Sequence, residues 1–410
     1  MKNFLKIILS LTIIALVYLN STLYYTPQFI QIGNTQYNAD VYSQLQFLKR
    51  KLHHGAASKM QDLFPEGFVF INALYGLAWS NLISELDKNN NIHQEGISEI
   101  TWAIQQINTP EAKELFNPHL PLKYGAFYRG WSNLLLGSKL KIQVAEDRNR
   151  LEIGRFKQNC HQIIQAIKES DTPYIESYRM QSWPADVVIA MASVAIYDNH
   201  FSPIFQEDIK KWMVKVKQKL DPKTGLIPHA VDARNGAKKE SARGSSQSLI
   251  LNFLITIDST FAKQQFQIYQ KLFLDSRMGL PGIREYPSGY SGRGDIDSGP
   301  VIFGIGGAAS IVGQQTFGLY QNWKTYQGLR NAIEAFGMGY TSHSEKKYIF
   351  GQLPMADAFI AWSNSIEKHR GQVEVKHNWR IKFHLLSIGT IALLSLLSYR
   401  FGIFKKSHRH

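Results

Sequence analysis

Six apolar stretches recur along the chain at a nearly constant spacing, and each is opened by a loop that carries proline or glycine. The loops are marked by Pro65, Pro121, Pro184, Gly244, Pro300 and Pro354, so the successive steps are 56, 63, 60, 56 and 54 residues. A regular period of this size indicates stacked supersecondary units that cannot bury their apolar faces alone. Proline fits the first helical turn, where its missing N–H costs nothing. The spacing therefore predicts six repeated units, each built around one apolar helix.

More amphipathic, charged segments alternate with the apolar ones. In residues 203–220, Ile209, Trp212 and Val216 mark one face, which is typical of a helix half in water. The six segments of this kind are 42–52, 97–107, 148–168, 203–220, 260–274 and 322–336. By contrast, residues 187–196 and 301–312 are apolar all round, which predicts helices buried on every side. Both runs are shorter than the ~18 residues of a membrane span, so they belong in a protein core.

Alternating outer and inner helices over residues 36–367 predict an all-α domain. In its hairpin period and helix character, this region resembles the six-hairpin (α/α)6 toroid superfamily of carbohydrate-active and related enzymes. The resemblance implies a closed ring of six helical hairpins, with the N-termini of the inner helices at one mouth. The resemblance supports a fold and only suggests the type of reaction that the protein catalyses. An open α-solenoid is the rival architecture.

Both ends of the sequence have the composition of membrane segments. Residues 1–25 predict an N-terminal membrane anchor or signal, and residues 383–399 predict a C-terminal transmembrane helix. A cleaved signal peptide is the alternative for the first segment, but no small-x-small cleavage site follows Leu19, which favours an uncleaved anchor. Residues 400–410 form a basic tail.

The basic residues flanking these segments predict an orientation. Lys2 and Lys6 belong to the first segment, and Arg400, Lys405, Lys406 and Arg409 follow the second. The positive-inside preference then places both termini in the cytoplasm and the large domain outside it, in the periplasm or at the cell exterior. Arg380 and Lys382 weaken this assignment without reversing it.

The net charge of +14 is largely a consequence of this topology. Residues 1–25 carry two lysines, residues 380–410 carry six basic residues, and neither stretch has an acid, so the middle carries +6. Nucleic-acid binding is therefore not expected. Cys160 is the single cysteine, which excludes an intrachain disulfide framework. The run from Gly304 to Ala309 mimics a dinucleotide fingerprint, but it lies inside a predicted helix without a preceding strand. No cofactor and no metal are predicted.

Two long polar loops enter the fourth and fifth inner helices, at residues 225–246 and 279–300. Loops of this length in a compact domain tend to bind ligands or to act as lids. Helix N-termini also carry partial positive charge and free N–H groups, which suits an anionic or hydroxyl-rich ligand. We therefore expect the functional site where these loops meet the inner helices.

Carboxylates and one histidine of this region are candidates for acid/base chemistry. Glycosidic cleavage uses two carboxyl groups, and Asp297 with Asp186 is the predicted pair. Asp295 is expected to share the role of Asp297 or to raise its pKa, and Glu285 is a further candidate. His229 is a candidate general base for elimination. The structural alternatives are that Asp186 stabilises a helix dipole, Asp297 caps a helix and His229 bonds backbone.

Arginines of this region and aromatic residues at inner-helix positions are candidates for substrate binding. Guanidinium groups bind carboxylates or phosphates in two-pronged fashion, so they suggest an acidic or other anionic substrate. Pairing with nearby acids, or packing in the core for the aromatic rings, is the alternative. The predicted substrate-binding residues are Arg179, Trp183, Arg243, Arg284, Tyr286, Arg293 and Tyr128.

The combined features predict a membrane-anchored carbohydrate-active enzyme that acts on a glycan or glycoconjugate outside the cytoplasm. Hydrolysis is preferred over elimination because candidate acids outnumber base-plus-tyrosine sets. One alternative is a non-catalytic envelope protein that holds a glycan or a partner. Another is a lipid- or terpenoid-type enzyme, which a ring interior lined mainly by Phe, Leu and Met would favour.

Overall fold

The protein is predominantly helical in the computed structural model, which describes residues 2–296, 298–368 and 378–400. This confirms the predicted all-α class. The helices are α1 (Lys2–Thr22), α2 (Ala39–His53), α3 (Ala56–Leu63), α4 (Gly67–Ile83), α5 (Asn91–Ile107), α6 (Pro110–Lys113), α7 (Gly125–Ile142), α8 (Arg150–Glu169), α9 (Pro184–His200), α10 (Gln206–Lys217), α11 (Gly244–Ile257), α12 (Ser259–Phe273), α13 (Gly307–Leu319), α14 (Trp323–Phe336), α15 (Pro354–Asn364) and α16 (Asn378–Arg400).

The strands of the described residues form short antiparallel hairpins in the connections between helices. The pairs are β1 (Phe29–Ile32) with β2 (Thr35–Asn38), β3 (Ala230–Val231) with β4 (Lys238–Glu240), β5 (Leu274–Arg277) with β6 (Leu280–Ile283), β7 (Val301–Ile302) with β8 (Ile305–Gly306), and β9 (Tyr340–Ser342) with β10 (Glu345–Lys347). No larger sheet forms among them.

The six apolar helices contact one another in a cyclic order. Helix α4 packs on α7, α7 on α9, α9 on α11, α11 on α13, α13 on α15, and α15 returns to α4. Their composition explains their position, because α9 is buried at every residue from Pro184 to Asp198. The amphipathic helices α2, α5, α8, α10, α12 and α14 each pack against an apolar helix.

Local sequence signals separate the two sets of helices. Five of the amphipathic helices begin at an Asn or Asp whose side chain accepts backbone N–H groups of the first turn: Asn38, Asn90, Asn149, Asp258 and Asn322. None of the six apolar helices has such a side-chain cap. Their first N–H groups are therefore available to loops or ligands at one end of each helix.

The predicted helical run over residues 301–312 is wrong in its first half. Residues 301–306 form the β7–β8 hairpin, and α13 begins only at Gly307 rather than near Pro300. The hairpin turns at Phe303 and Gly304, which both have positive φ angles of 52° and 82°. Glycine adopts a positive φ without strain, and the turn at Gly304 prevents a helix from running through residues 301–306. The glycine run from Gly304 therefore begins in a hairpin turn and does not lie inside a helix.

One helix in the described part of the chain is long and apolar enough to cross a membrane, judged by length and composition. It is α16, which contains the predicted segment 383–399 and begins five residues earlier, at Asn378. The apolar part of α1, Lys6–Thr22, is shorter than that criterion requires. The predicted tail lies outside the described residues beyond Arg400.

Helices α1 and α16 pack against each other and against the domain. The amide of Asn20 donates to the hydroxyl of Ser387 at 3.0 Å, and the Tyr24 hydroxyl lies 2.7 Å from Nε2 of His384. The carbonyl of Leu23 accepts a hydrogen bond of 2.7 Å from Asn331 in α14. The two helices therefore leave the domain side by side.

Candidate functional site

A cavity of about 680 Å³ is enclosed by the six apolar helices and the adjoining hairpins. Every one of the six helices contributes to its wall, through Phe70 of α4, Trp131 of α7, Asp186 of α9, Leu249 of α11, Ile311 of α13 and Phe359 of α15. Most of the lining side chains are apolar, with phenylalanine and isoleucine prominent. The volume is within the usual range for sites that bind small molecules.

Several polar side chains of the cavity lie at the entrances of α9 and α11, and we call this group the polar region; Glu66, Arg277 and Ser310 line other parts of the wall. Asp186 lies in the first turn of α9, while Ser245 and Ser246 lie in the first turn of α11. His229 enters from the loop before β3, and Trp183 directly precedes α9. The backbone N–H of Val231 donates to the carbonyl of Ser182 at 3.1 Å, which joins the histidine loop to the α9 entrance. Asp186 and His229 thus line the same cavity.

Arg243 organises the side of the site next to His229. Its Nε donates to Oε1 of Glu285 at 2.8 Å, and its Nη1 donates to Oδ2 of Asp295 at 2.6 Å. The Ser245 hydroxyl donates to the same Glu285 oxygen at 2.8 Å. The backbones at Gly244 and Arg284 are also in close contact, because a Cβ on Gly244 would lie 1.9 Å from the carbonyl oxygen of Arg284. The two long predicted loops therefore meet through one buried arginine.

The two carboxylates paired with Arg243 have opposite pKa shifts. Glu285 is fully buried, and this burial raises its pKa despite Arg243 and Ser245. Asp295 is partly exposed, so its loss of hydration is outweighed by the hydrogen bonds from Arg243 and Ser298, which hold its pKa well below the usual range. The anionic form of Asp295 is therefore favoured, which suits a counter-ion to Arg243.

His229 is held in its neutral form. Burial lowers its pKa to about 4, and the positive charge of Arg243 adds to the effect. Within the described ranges, Nδ1 of His229 and Nη2 of Arg243 are buried without a hydrogen-bond partner. Buried polar atoms without partners are uncommon in proteins, and His229 lines the cavity, whereas Arg243 is not among the lining residues. A neutral imidazole there can accept a proton from a bound molecule.

The depressed pKa of His229 predicts a loss of stability in mild acid. The unfolded chain takes up a proton near pH 6.5 and the folded chain only near pH 4, so stability falls as the pH drops through that window. The shift corresponds to about 3 kcal/mol at most. Urea unfolding at pH 7 and pH 4 should show a smaller acid loss for His229→Gln than for the unmodified protein. Equal losses in the two proteins would contradict the buried neutral state.

The other predicted substrate-binding residues are placed less favourably for contact with a ligand in the cavity. Arg284 is engaged within its own loop, donating to the carbonyls of Tyr286 and Tyr290 and to Asp275. The Tyr286 hydroxyl donates to the carbonyl of Arg293, and its ring lies 5.4 Å from the Arg243 guanidinium. Arg179 and Arg293 are exposed.

One further predicted residue, Tyr128, lies away from the described site. Tyr128 is buried, donates to the carbonyl of Ile107 at 3.2 Å and is not among the residues that line the cavity. Asp297, half of the predicted catalytic pair, lies outside the described residues. The catalytic roles of Asp186, Asp295, Glu285 and His229 remain predictions.

Sequence reasoning gave an apolar interior only as an alternative, and it did not identify Ser245. The segment over residues 279–300 was selected as a candidate for its arginines and acids. Its apolar residues Leu280, Pro281 and Ile296 also line the cavity. The apolar residues at loop positions were the available signal, since large side chains in a polar loop need burial or a partner. No known protein family matches the sequence, and no curated protein matches it.

Proposed function

We propose that this protein is a membrane-anchored (α/α)6 toroid enzyme that acts on an amphipathic, lipid-like substrate. The observation that carries the proposal is the cavity, whose wall is mostly apolar while Asp186, His229 and two serines lie together at the entrances of α9 and α11. Such a cavity suits a molecule with an apolar body and a polar reacting end. This is the alternative that a phenylalanine-rich interior favours over a purely polar polysaccharide.

The toroid part of the proposal is supported by the packing order of the apolar helices. Contacts run from α4 through α7, α9, α11 and α13 to α15, and α15 contacts α4 again. In an open solenoid the terminal repeats would lack this contact. All six helices contribute to one cavity, which is the expected place for a site inside a ring.

The membrane part of the proposal involves both α1 and α16. Asn20 of α1 bonds Ser387 of α16. Leu9 lies eleven residues before Asn20, Ser398 lies eleven residues after Ser387, and both are buried. Equal spacing in opposite directions along the two helices is what an antiparallel pair requires. With basic residues at the outer ends of both segments, this pair would place the domain outside the cytoplasm.

The chemistry that we propose is acid/base catalysis at the polar region. Neutral His229 serves as the base, and Asp186 serves as the acid or as an anion that orients the substrate. Asp186 lies in the first turn of α9, where the helix dipole favours its charged form. Arg243 is a positioning residue, because it is not among the residues that line the cavity and its side chain is held by Glu285 and Asp295.

A glycan-processing function is the second candidate, and one observation favours it. Trp183 and Tyr178 line the cavity next to Asp186, and their rings meet edge to face with centroids 5.4 Å apart. Aromatic rings beside a carboxylate suit a sugar ring that is cleaved by carboxyl groups. A sugar-bearing lipid would use both the aromatic residues and the apolar wall.

Ligand binding tests the proposal directly. The full-length protein in detergent would be titrated with dansyl-undecanoic acid and, separately, with a uronic-acid hexasaccharide. We expect saturable dansyl fluorescence with one site per chain. Leu249→Trp enlarges a side chain in the cavity wall and should weaken binding about tenfold or more, equivalent to at least ~1.4 kcal/mol.

The matched control is Leu151→Trp, which makes the same change on the exposed face of α8. It should leave dansyl binding unchanged. Hexasaccharide binding without dansyl binding would overturn the lipid proposal in favour of the glycan candidate. Equal dansyl binding by both variants would show that the probe does not occupy the cavity.

A further inference from the structure

Several large apolar side chains that line the cavity are also exposed at the protein surface. We define the rim as Met278, Ile302, Phe303, Phe336 and Leu353, all of which also line the cavity. Met278 is 49% exposed, Ile302 62% and Phe303 70%. Contiguous exposed apolar surface of this kind marks a site of interaction, because its contact with water is unfavourable.

Three rim residues are carried on hairpin tips that are held together. Met278 lies in the turn between β5 and β6, while Ile302 and Phe303 form the tip of β7–β8. Nε of Arg277 donates to the carbonyl of Phe303 at 2.9 Å, which links the two tips. The exposed residues therefore belong to a fixed surface and not to separate loops.

This surface is continuous with the first turns of α16. A Cβ on Gly279, beside Met278, would lie 2.5 Å from the carbonyl oxygen of Trp379, so that the β5–β6 turn abuts the helix directly. Phe383 of α16 lines the cavity, and its ring centroid lies 6.4 Å from that of the rim residue Phe336. The opening of the cavity and the start of the apolar helix are thus adjacent.

The length of α16 sets the depth of the rim relative to a bilayer. Its 23 residues extend about 35 Å at ~1.5 Å per residue, little more than the ~30 Å hydrocarbon core of a bilayer. Exposed apolar residues begin at Ile381, within the first turn. Trp379, Arg380 and Lys382 have the amphipathic or basic character typical of the membrane–water interface. The rim, which abuts Trp379, is then at the level of the lipid head groups.

We infer that the rim docks on the lipid bilayer and that the cavity opens into the membrane interface. An apolar molecule dissolved in the bilayer would enter past Phe303 and Met278 without crossing water, and its polar end would reach His229 and Asp186. Lys382, which is exposed at this level, suits anionic head groups. The docking of the rim is supported by the exposed apolar surface and by α16 alone. The entry of a substrate also rests on the proposed function.

Site-specific fluorescence in a bilayer tests the docking. Cys160 is buried, so single cysteines introduced at exposed positions can be labelled selectively. Full-length Phe303→Cys, labelled with the fluorophore NBD, would be reconstituted into nanodiscs of phosphatidylcholine and phosphatidylglycerol. Leu151→Cys, 80% exposed on α8, is the matched control, and unmodified protein reports any labelling of Cys160.

The inference predicts opposite quenching at the two positions. Brominated acyl chains should quench the label at position 303 several-fold more than the label at position 151, and aqueous iodide should do the reverse. Iodide quenching of both labels to the same extent, without bromine quenching at 303, would overturn the inference. Protection of position 303 from both quenchers would also overturn it, in favour of a second copy of the chain covering the rim.

The outcome is separable from that of the proposed function. If position 303 lies in lipid while dansyl-undecanoic acid fails to bind, the docking stands and the lipid-like substrate is wrong. If the probe binds while position 303 lies in water, the proposed function stands and the membrane entrance is wrong. Circular dichroism of the two labelled proteins checks that both retain the helical fold.

Discussion

Replacing Arg330 by methionine should remove about 3–5 kcal/mol of folding free energy, the usual cost of deleting one member of a buried charge network. Arg330 is 1% exposed and lies in α14. Its guanidinium contacts Asp40 at 3.2 Å, Glu334 at 2.9 Å and Glu367 at 2.8 Å. Methionine fills much of the same volume, so the loss measured is mainly electrostatic.

The magnitude follows from the charge balance of the cluster. Lys346 is also buried and lies 3.2 Å from Asp40 and 2.9 Å from Glu334, so that two cations face three carboxylates. Removing Arg330 leaves three acids against a single lysine in a buried region. The acids must then be protonated or hydrated, and either adjustment costs folding free energy.

Urea unfolding of the full-length protein in detergent measures the effect, and Lys210→Met is the matched control. Lys210 forms an ion pair with Glu207 at 2.7 Å, but both side chains are exposed. Removing it should not change the unfolding midpoint measurably, since exposed pairs contribute little. Arg330→Met with the midpoint of the control variant would contradict the electrostatic role of the cluster.

Hydrogen exchange would show where the network acts. Tyr25, just beyond α1, donates its hydroxyl to Asp40 at 2.5 Å, and Asn331 beside Arg330 bonds the carbonyl of Leu23. The cluster therefore connects the end of α1 to α2 and α14. Faster amide exchange in these three segments of Arg330→Met is expected, with α8 and α9 less affected.

The helical units were predictable from sequence because period and amphipathicity are local signals. The predicted segment 148–168 corresponds to α8 within two residues at each end, and the segment 97–107 ends with α5, which begins six residues earlier. Burial on every side of α9 was also predictable, since its sequence has no polar stripe. Boundaries were less accurate where a short hairpin preceded the helix, as at residues 301–306, because a brief apolar run fits a strand and a helix equally well.

The site was predictable only in part, because side-chain pairing is not a local property. The loops carrying His229 and Asp295 were identified by length and polarity, but nothing in the sequence couples Arg243 to Glu285, which lies 42 residues away. The same holds for Asp40 and Lys346, which are separated by 306 residues. A charged residue in a sequence has no visible partner, so its burial and pKa emerge only from the fold.

Asp186→Asn should lower turnover about 10²–10⁴-fold, the typical contribution of a positioned acid or base, and His229→Gln should act similarly. Both residues line the cavity, and neither substitution changes side-chain volume greatly. An asparagine at position 186 would keep a hydrogen-bonding group in the first turn of α9 but could neither carry charge nor transfer a proton. Dansyl-undecanoic acid should still bind both variants, because the apolar wall is unchanged.

Mass spectrometry of membrane lipid extracts incubated with the protein would follow turnover without assuming the substrate, and a glycan mixture would serve as a parallel arm. Asp208→Asn is the matched control, since Asp208 also lies in the first turn of a helix but pairs with Lys168 at the surface of α10. Asp297→Asn tests the other member of the predicted pair. Turnover that survives in Asp186→Asn and His229→Gln at the level of Asp208→Asn would eliminate the proposed acid/base site. Loss in Asp297→Asn together with Asp186→Asn, with His229→Gln active, would favour the two-carboxylate chemistry of glycan hydrolysis over base catalysis by the histidine.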